Sequence, residues 1–151
     1  MELVEVVVIG LPFCAFKILT GLSLLASSAP SPLKLLAFAL IGLGAVDALI
    51  NGVNFAGYLL SRRRMMDACF LSLATRPFRR PQRPHRHWQD LGNSLDVLLS
   101  FSLVAAMIGY GRLKSMPADQ LAVWNACVIL NVLGAGLSRF SESLRNLKSA
   151  R

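Results

Sequence analysis

Four apolar runs, at residues 3–26, 35–60, 91–111 and 119–138, organise the chain. Each is close to or longer than the ~20 residues that a helix needs to cross a hydrocarbon core about 30 Å thick. The segments between them carry loop chemistry. Ser27-Ser28-Ala29-Pro30-Ser31-Pro32 follows the first run, an Arg/Pro tract the second, and Ser115-Met116-Pro117 separates the third from the fourth. The pattern predicts an all-α integral membrane protein, one membrane domain over 1–151, with four transmembrane helices as two antiparallel hairpins. Ala26-Ser27-Ser28-Ala29 offers small residues at the end of the first run. That run is nevertheless read as a span rather than a cleaved leader, because Glu2 and Glu5 precede it where a leader carries Lys or Arg.

Composition agrees, since 54% of the 151 residues are hydrophobic and 16% charged, too oily for a soluble domain. The net charge of +8 is segregated. Loop two holds Arg62, Arg63, Arg64, Arg76, Arg79, Arg80, Arg83 and Arg86, and the tail holds Arg139, Arg145, Lys148 and Arg151. The opposite side holds Lys34, Arg112 and Lys114. The positive-inside rule therefore places loop two and both termini in the cytoplasm, in the inner or plasma membrane of the cell.

Hydrophilic side chains at membrane depth are the informative ones, because an ionised group there costs about 3 kcal/mol or more unless partnered. Lys17 and Asp47 fall at similar depth on neighbouring antiparallel helices, which predicts an intramembrane ion pair. On the first helix Gly10, Cys14, Lys17 and Gly21 share one face. On the second, Asp47, Asn51, Asn54 and Tyr58 form a polar stripe, and Gly44, Ala48, Gly52 and Ala56 form a small-residue ridge suited to close helix contact. The third helix carries Asn93, Asp96 and Ser100 on one face, with Asp96 expected beside Asn54. Asp96 should lie about 8 Å from Asp47 in depth, too far to share a proton. Asn125 and Asn131 on the fourth helix point about 240° apart, so one of them is available to another subunit.

In loop two, 61–76 reads as an interfacial helix with Met65, Met66, Cys69, Phe70 and Leu73 on its apolar face. The Pro/Arg stretch 76–87 follows as an extended basic arm, and Trp88 then anchors the chain at the headgroups. The arm suits topology, anionic lipids of the cytoplasmic leaflet and acidic protein partners. Nucleic acid fits poorly, with Phe78 and Trp88 as the sole interleaved aromatics. Phe140, Leu144 and Leu147 extend the fourth helix amphipathically into the tail.

Catalytic chemistry is not expected. The residues assemble no nucleophile with a base, no HExxH and no phosphate-binding glycine loop. His85 and His87, two residues apart without a carboxylate or Cys cluster, fall short of a metal ligand set. Cys14, Cys69 and Cys127 have no CxxC spacing. No cofactor is predicted, and a bound lipid or a pigment held by asparagine or backbone stays open. The expected function is a non-enzymatic accessory or scaffold subunit of a larger membrane complex. It would pack through its small-residue faces, against other membrane subunits or a second copy of itself, and dock partners or lipids with the Arg loop. The alternative is an oligomeric ion or proton channel or transporter subunit using Asp47, Asn51, Asn54 and Asp96.

Overall fold

A computed structural model describes the backbone of residues 6–28, 30–63, 65–67, 69–74 and 86–149. Side chains are described for these except 86–90, 135, 137–139 and 141–149. Among the described residues every regular element is helical. A π-helical turn, Val6–Gly10, leads into α1, Leu11–Leu25. Next come α2, Ser31–Ser61, a short α3, Phe70–Ala74, and α4, Arg86–Gly109. A 3-10 turn at Arg112–Ser115 then precedes α5, Ala118–Ser149.

Three helical stretches are long and apolar enough to cross a membrane: Val6–Leu25, Ser31–Ser61 and Leu91–Gly109. The fourth, Ala118–Gly134, is a shorter apolar segment within a 32-residue helix. The outward surface carries Leu35, Phe38, Leu49, Leu98, Ile129 and Val132, while Lys17, Asp47, Asn54 and Asp96 are buried. That inversion of the soluble pattern is what lipid selects, because apolar side chains lose nothing by facing acyl tails and polar ones must find partners inside.

Helix α1 is central and touches α2, α4 and α5. Its small-residue face lies against α2. A Cβ at Gly21 would come within 2.7 Å of the Ala37 carbonyl, and one at Gly44 within 2.9 Å of the Cys14 carbonyl. The order of these contacts, with Gly10 beside Asn51 further along, makes the two helices run in opposite directions. The other face of α1 builds the apolar core. Phe16 stacks obliquely on Trp124 at 4.8 Å, and Phe13 meets Phe101 edge-on at 5.6 Å. Leu19, Met107, Met116 and Cys127 complete that cluster.

Loop two departs from the sequence expectation. No interfacial helix continues from α2. Arg62 adopts a left-handed conformation (φ 53°), ends α2 and turns the chain back. Residues 65–67 and 69–74 then descend beside α2 and α4 as a re-entrant segment ending in α3. Two glycines make room for it. A Cβ at Gly57 would sit 2.5 Å from Met65 Cγ, and one at Gly92 would sit 2.5 Å from Ser72 Cα. Asn54 ties the descent in place, accepting the N–H groups of Met65 (3.2 Å) and Met66 (2.8 Å) and donating to the Asp67 carbonyl (3.2 Å). Non-helical backbone at membrane depth is tolerated where protein satisfies its polar groups, and Asn54 does that here. Arg86 and His87, expected in the extended arm, belong instead to a helix, because α4 starts at Arg86. Residues 76–85 lie outside the described set. The tail does continue α5, to Ser149.

Candidate functional site: a buried lysine between two aspartates

Lys17 lies one turn from Cys14 and Gly21, on the face of α1 that meets α2. Its four-carbon stem carries the ammonium into the space between α2 and α4, and no part of the side chain reaches solvent. Nζ donates to Asp47 Oδ2 at 2.6 Å and to Asp96 Oδ1. An ammonium has three donors, so one lysine can bridge two carboxylates. The sequence places Lys17 with Asp47 and pairs Asp96 with Asn54; the structure instead brings Asp96 to Lys17. Asn54 is committed to the re-entrant segment. The two aspartates, expected about 8 Å apart in depth, are bridged by the one ammonium at the end of the lysine stem.

Asp47 receives a second donor. The Phe70 N–H, at the first turn of α3, lies 2.6 Å from Oδ1, so each carboxylate oxygen accepts one hydrogen bond. The re-entrant segment thereby closes on the ion site. Asn51, one turn further along α2, returns its Nδ2 to the Asp47 carbonyl at 2.9 Å and approaches Cys14 Sγ at 3.6 Å. A cavity of about 120 Å3 adjoins the triad, lined on its polar side by Asp47, Asp96, Asn51, Asn93, Cys14 and Cys69. Asn93, exposed and one turn before Asp96, marks its outer end. Burial pushes the Cys69 thiol up to about 11, which keeps it protonated and chemically quiet at neutral pH.

The other expected residues are dispersed. Asn131 is buried and donates to the Cys127 carbonyl at 3.2 Å, whereas Asn125 faces outward from α5. The ridge on α2 divides: Gly44 packs on α1, Ala48 is half-buried, and Gly52 and Ala56 face outward, with nothing within 4 Å of a Cβ built at Gly52. Arg62 and Arg63 are exposed. Arg64, Arg76, Arg79, Arg80, Arg83 and His85 lie outside the described residues, as do the side chains of Arg86, His87 and Trp88. The three cysteines are unpaired and buried. Sequence reasoning missed the contact between the re-entrant segment and Asp47. Gly57 and Gly92, each a gap in a span's side-chain surface, were the available signals. No family model matches the chain, and neither curated proteins nor solved structures provide a match in sequence or fold.

Proposed function

We propose that this chain is a non-enzymatic accessory or scaffold subunit of a membrane complex. It crosses the bilayer four times as two antiparallel hairpins, with both termini and the Arg-rich loop in the cytoplasm. One observation supports the role: the outward surface includes the small residues Gly52 and Ala56 on α2, both exposed, and among the described residues nothing lies within 4 Å of a Cβ built at Gly52. Small residues spaced along a span let another helix approach closely. Asn125, an outward carboxamide on α5, agrees with the same reading, since an amide facing acyl tails gains from a protein neighbour. The Arg side chains of loop two would hold anionic headgroups or an acidic cytoplasmic partner.

The test is purification in mild detergent from the native membrane. Stoichiometric unrelated subunits are expected, and Gly52→Leu with Ala56→Leu should release them while leaving thermal stability unchanged. A lone monomer from wild-type cells refutes the role. Orientation is tested separately, by an impermeant thiol reagent on Gln82→Cys in intact cells. Labelling from outside would overturn the cytoplasmic assignment of the loop. A second reading, an ion- or proton-handling subunit, gains from the convergence of Asp47 and Asp96 on a cavity.

A further inference from the structure

The ion site does not balance. One ammonium, Lys17, faces two carboxylates, Asp47 and Asp96, so with all three ionised the buried centre carries one net negative charge. Among the described residues, the other titratable groups lining the adjoining cavity are thiols, Cys14 from α1 and Cys69 from the re-entrant segment, and neither supplies a positive charge. Asp67 lies further along the re-entrant segment, its carbonyl bound by Asn54. Asp119 of α5 is exposed near the start of that helix, at its other end from the site. An uncompensated charge in a low-dielectric interior is costly, and the simplest relief is a proton on one of the two acids.

We propose that the triad is a proton-binding site, in which Asp96 carries the proton in the resting protein and exchanges it with solvent through the cavity at Asn93. The proton falls to Asp96 rather than Asp47 for a geometric reason. Both oxygens of Asp47 already accept, Oδ2 from Lys17 and Oδ1 from the Phe70 N–H, so a proton there would displace a donor. Asp96 accepts Lys17 on Oδ1 and lines the cavity beside exposed Asn93. In the exchange step the Asp96 O–H bond breaks, its electron pair stays on the carboxylate and the proton passes to water at the Asn93 end. Lys17 remains an ammonium donating to both acids, and the site moves from neutral to one negative charge. A bound metal cation would need several converging oxygens. Beyond the two carboxylates, the side-chain oxygens lining the cavity among the described residues are those of Asn51 and Asn93. This proposal deepens the second reading above and is independent of the accessory role.

Infrared difference spectroscopy on the full chain in lipid nanodiscs, at neutral pH and in sodium-free buffer, tests it. The expected result is a carboxylic-acid C=O band that shifts in deuterated water, disappears in Asp96→Asn and changes frequency in Asp96→Glu but not in Asp47→Glu. Lys17→Met should at least double the band, because two carboxylates then lack a counter-charge. Absence of the band in the wild type overturns the proposal. So does a band indifferent to both Asp96 variants, one that fails to shift in deuterated water, or one abolished by added sodium, which would make a metal cation the ligand. Asp96→Glu retains the acid, so a folding failure of Asp96→Asn leaves the test intact.

Discussion

Gly92→Ala probes the re-entrant segment with a single methyl group. The new Cβ would lie 2.5 Å from Ser72 Cα, 2.7 Å from Ser72 N and 2.9 Å from Leu71 C, all backbone atoms that cannot rotate away. Ordinary contact begins near 3.4 Å, so α3 must retreat by about 0.9 Å at Ser72. Two residues earlier in the same short helix, the Phe70 N–H sits 2.6 Å from Asp47 Oδ1. A retreat of that size stretches the bond to about 3.5 Å, beyond the ~3.2 Å limit of a good N–H···O bond. Losing a hydrogen bond to a charged acceptor costs about 1.5–3 kcal/mol. Alanine for glycine inside α4 favours that helix equally in the docked and undocked states, so it does not offset this loss. The docked segment is therefore destabilised by about 1.5–3 kcal/mol, a roughly 10- to 150-fold rise in the undocked population.

Cys69 reports that population, because its thiol is buried and lies near the Gly92 carbonyl. Maleimide labelling of Cys69, mapped by mass spectrometry on the full chain in detergent, should accelerate by that factor in Gly92→Ala. Gly52→Ala is the control, since its Cβ meets nothing and it should label at the wild-type rate. If Gly92→Ala labels no faster than the control, α3 does not pack on α4 as described.

Charge counting orders the triad variants. Lys17→Met, which leaves two buried carboxylates without a cation, should cost about 3–5 kcal/mol in reversible unfolding, and Asp96→Asn, which balances the site, should cost least. Equal losses from the two would refute the shared lysine. Lys17→Met with Asp47→Asn should recover part of that loss, because Asp96, the one acid left, holds its proton and leaves the site neutral. Asn54→Ala removes three hydrogen bonds to residues 65–67 and should lower stability by about 2–3 kcal/mol, with new protease sensitivity in that stretch. The pH dependence of docking follows from Cys69. Its folded-state value, about 11, lies above the ordinary 9.0, so its contribution is complete below pH 9.0 and is lost as pH rises toward about 11. Docking followed by hydrogen exchange across that window should weaken, and Cys69→Ala should remove this part of the slope.

The long apolar helices were legible because lipid imposes one rule on outward positions, and runs such as 35–60 obey it without exception for charge apart from Asp47. The partnership of Lys17 and Asp47 was legible for a related reason: two ions at one depth on helices joined by a short turn have few alternatives. Asp96 was not. Its placement depends on how α4 leans on α1, and on several ångströms of lysine stem, neither of which periodicity contains. Loop two was misread because Met65, Met66, Cys69, Phe70 and Leu73 suit a membrane surface and a protein interior equally well. What decides between these is the room at Gly57 and Gly92 and the amide of Asn54, all on other elements of the chain.

The position of Lys17 on α1 explains why a single cation can organise so much of the molecule. α1 packs against each of the other three long helices, so a group on its inner face is within reach of both α2 and α4. A lysine on a peripheral helix would meet one neighbour and then lipid, and its ammonium would have to climb toward the headgroups. Centred here, it fixes the mutual position of Asp47 and Asp96, and Asp47 in turn fixes Phe70 and the end of the re-entrant segment. Four elements therefore share one electrostatic contact. A change in the charge of that contact reaches α1, α2, α3 and α4 together, whereas the Phe16–Trp124 core, on the other side of α1, holds α5 through uncharged side chains. The fold thus separates an apolar half that resists perturbation from a charged half able to respond to it.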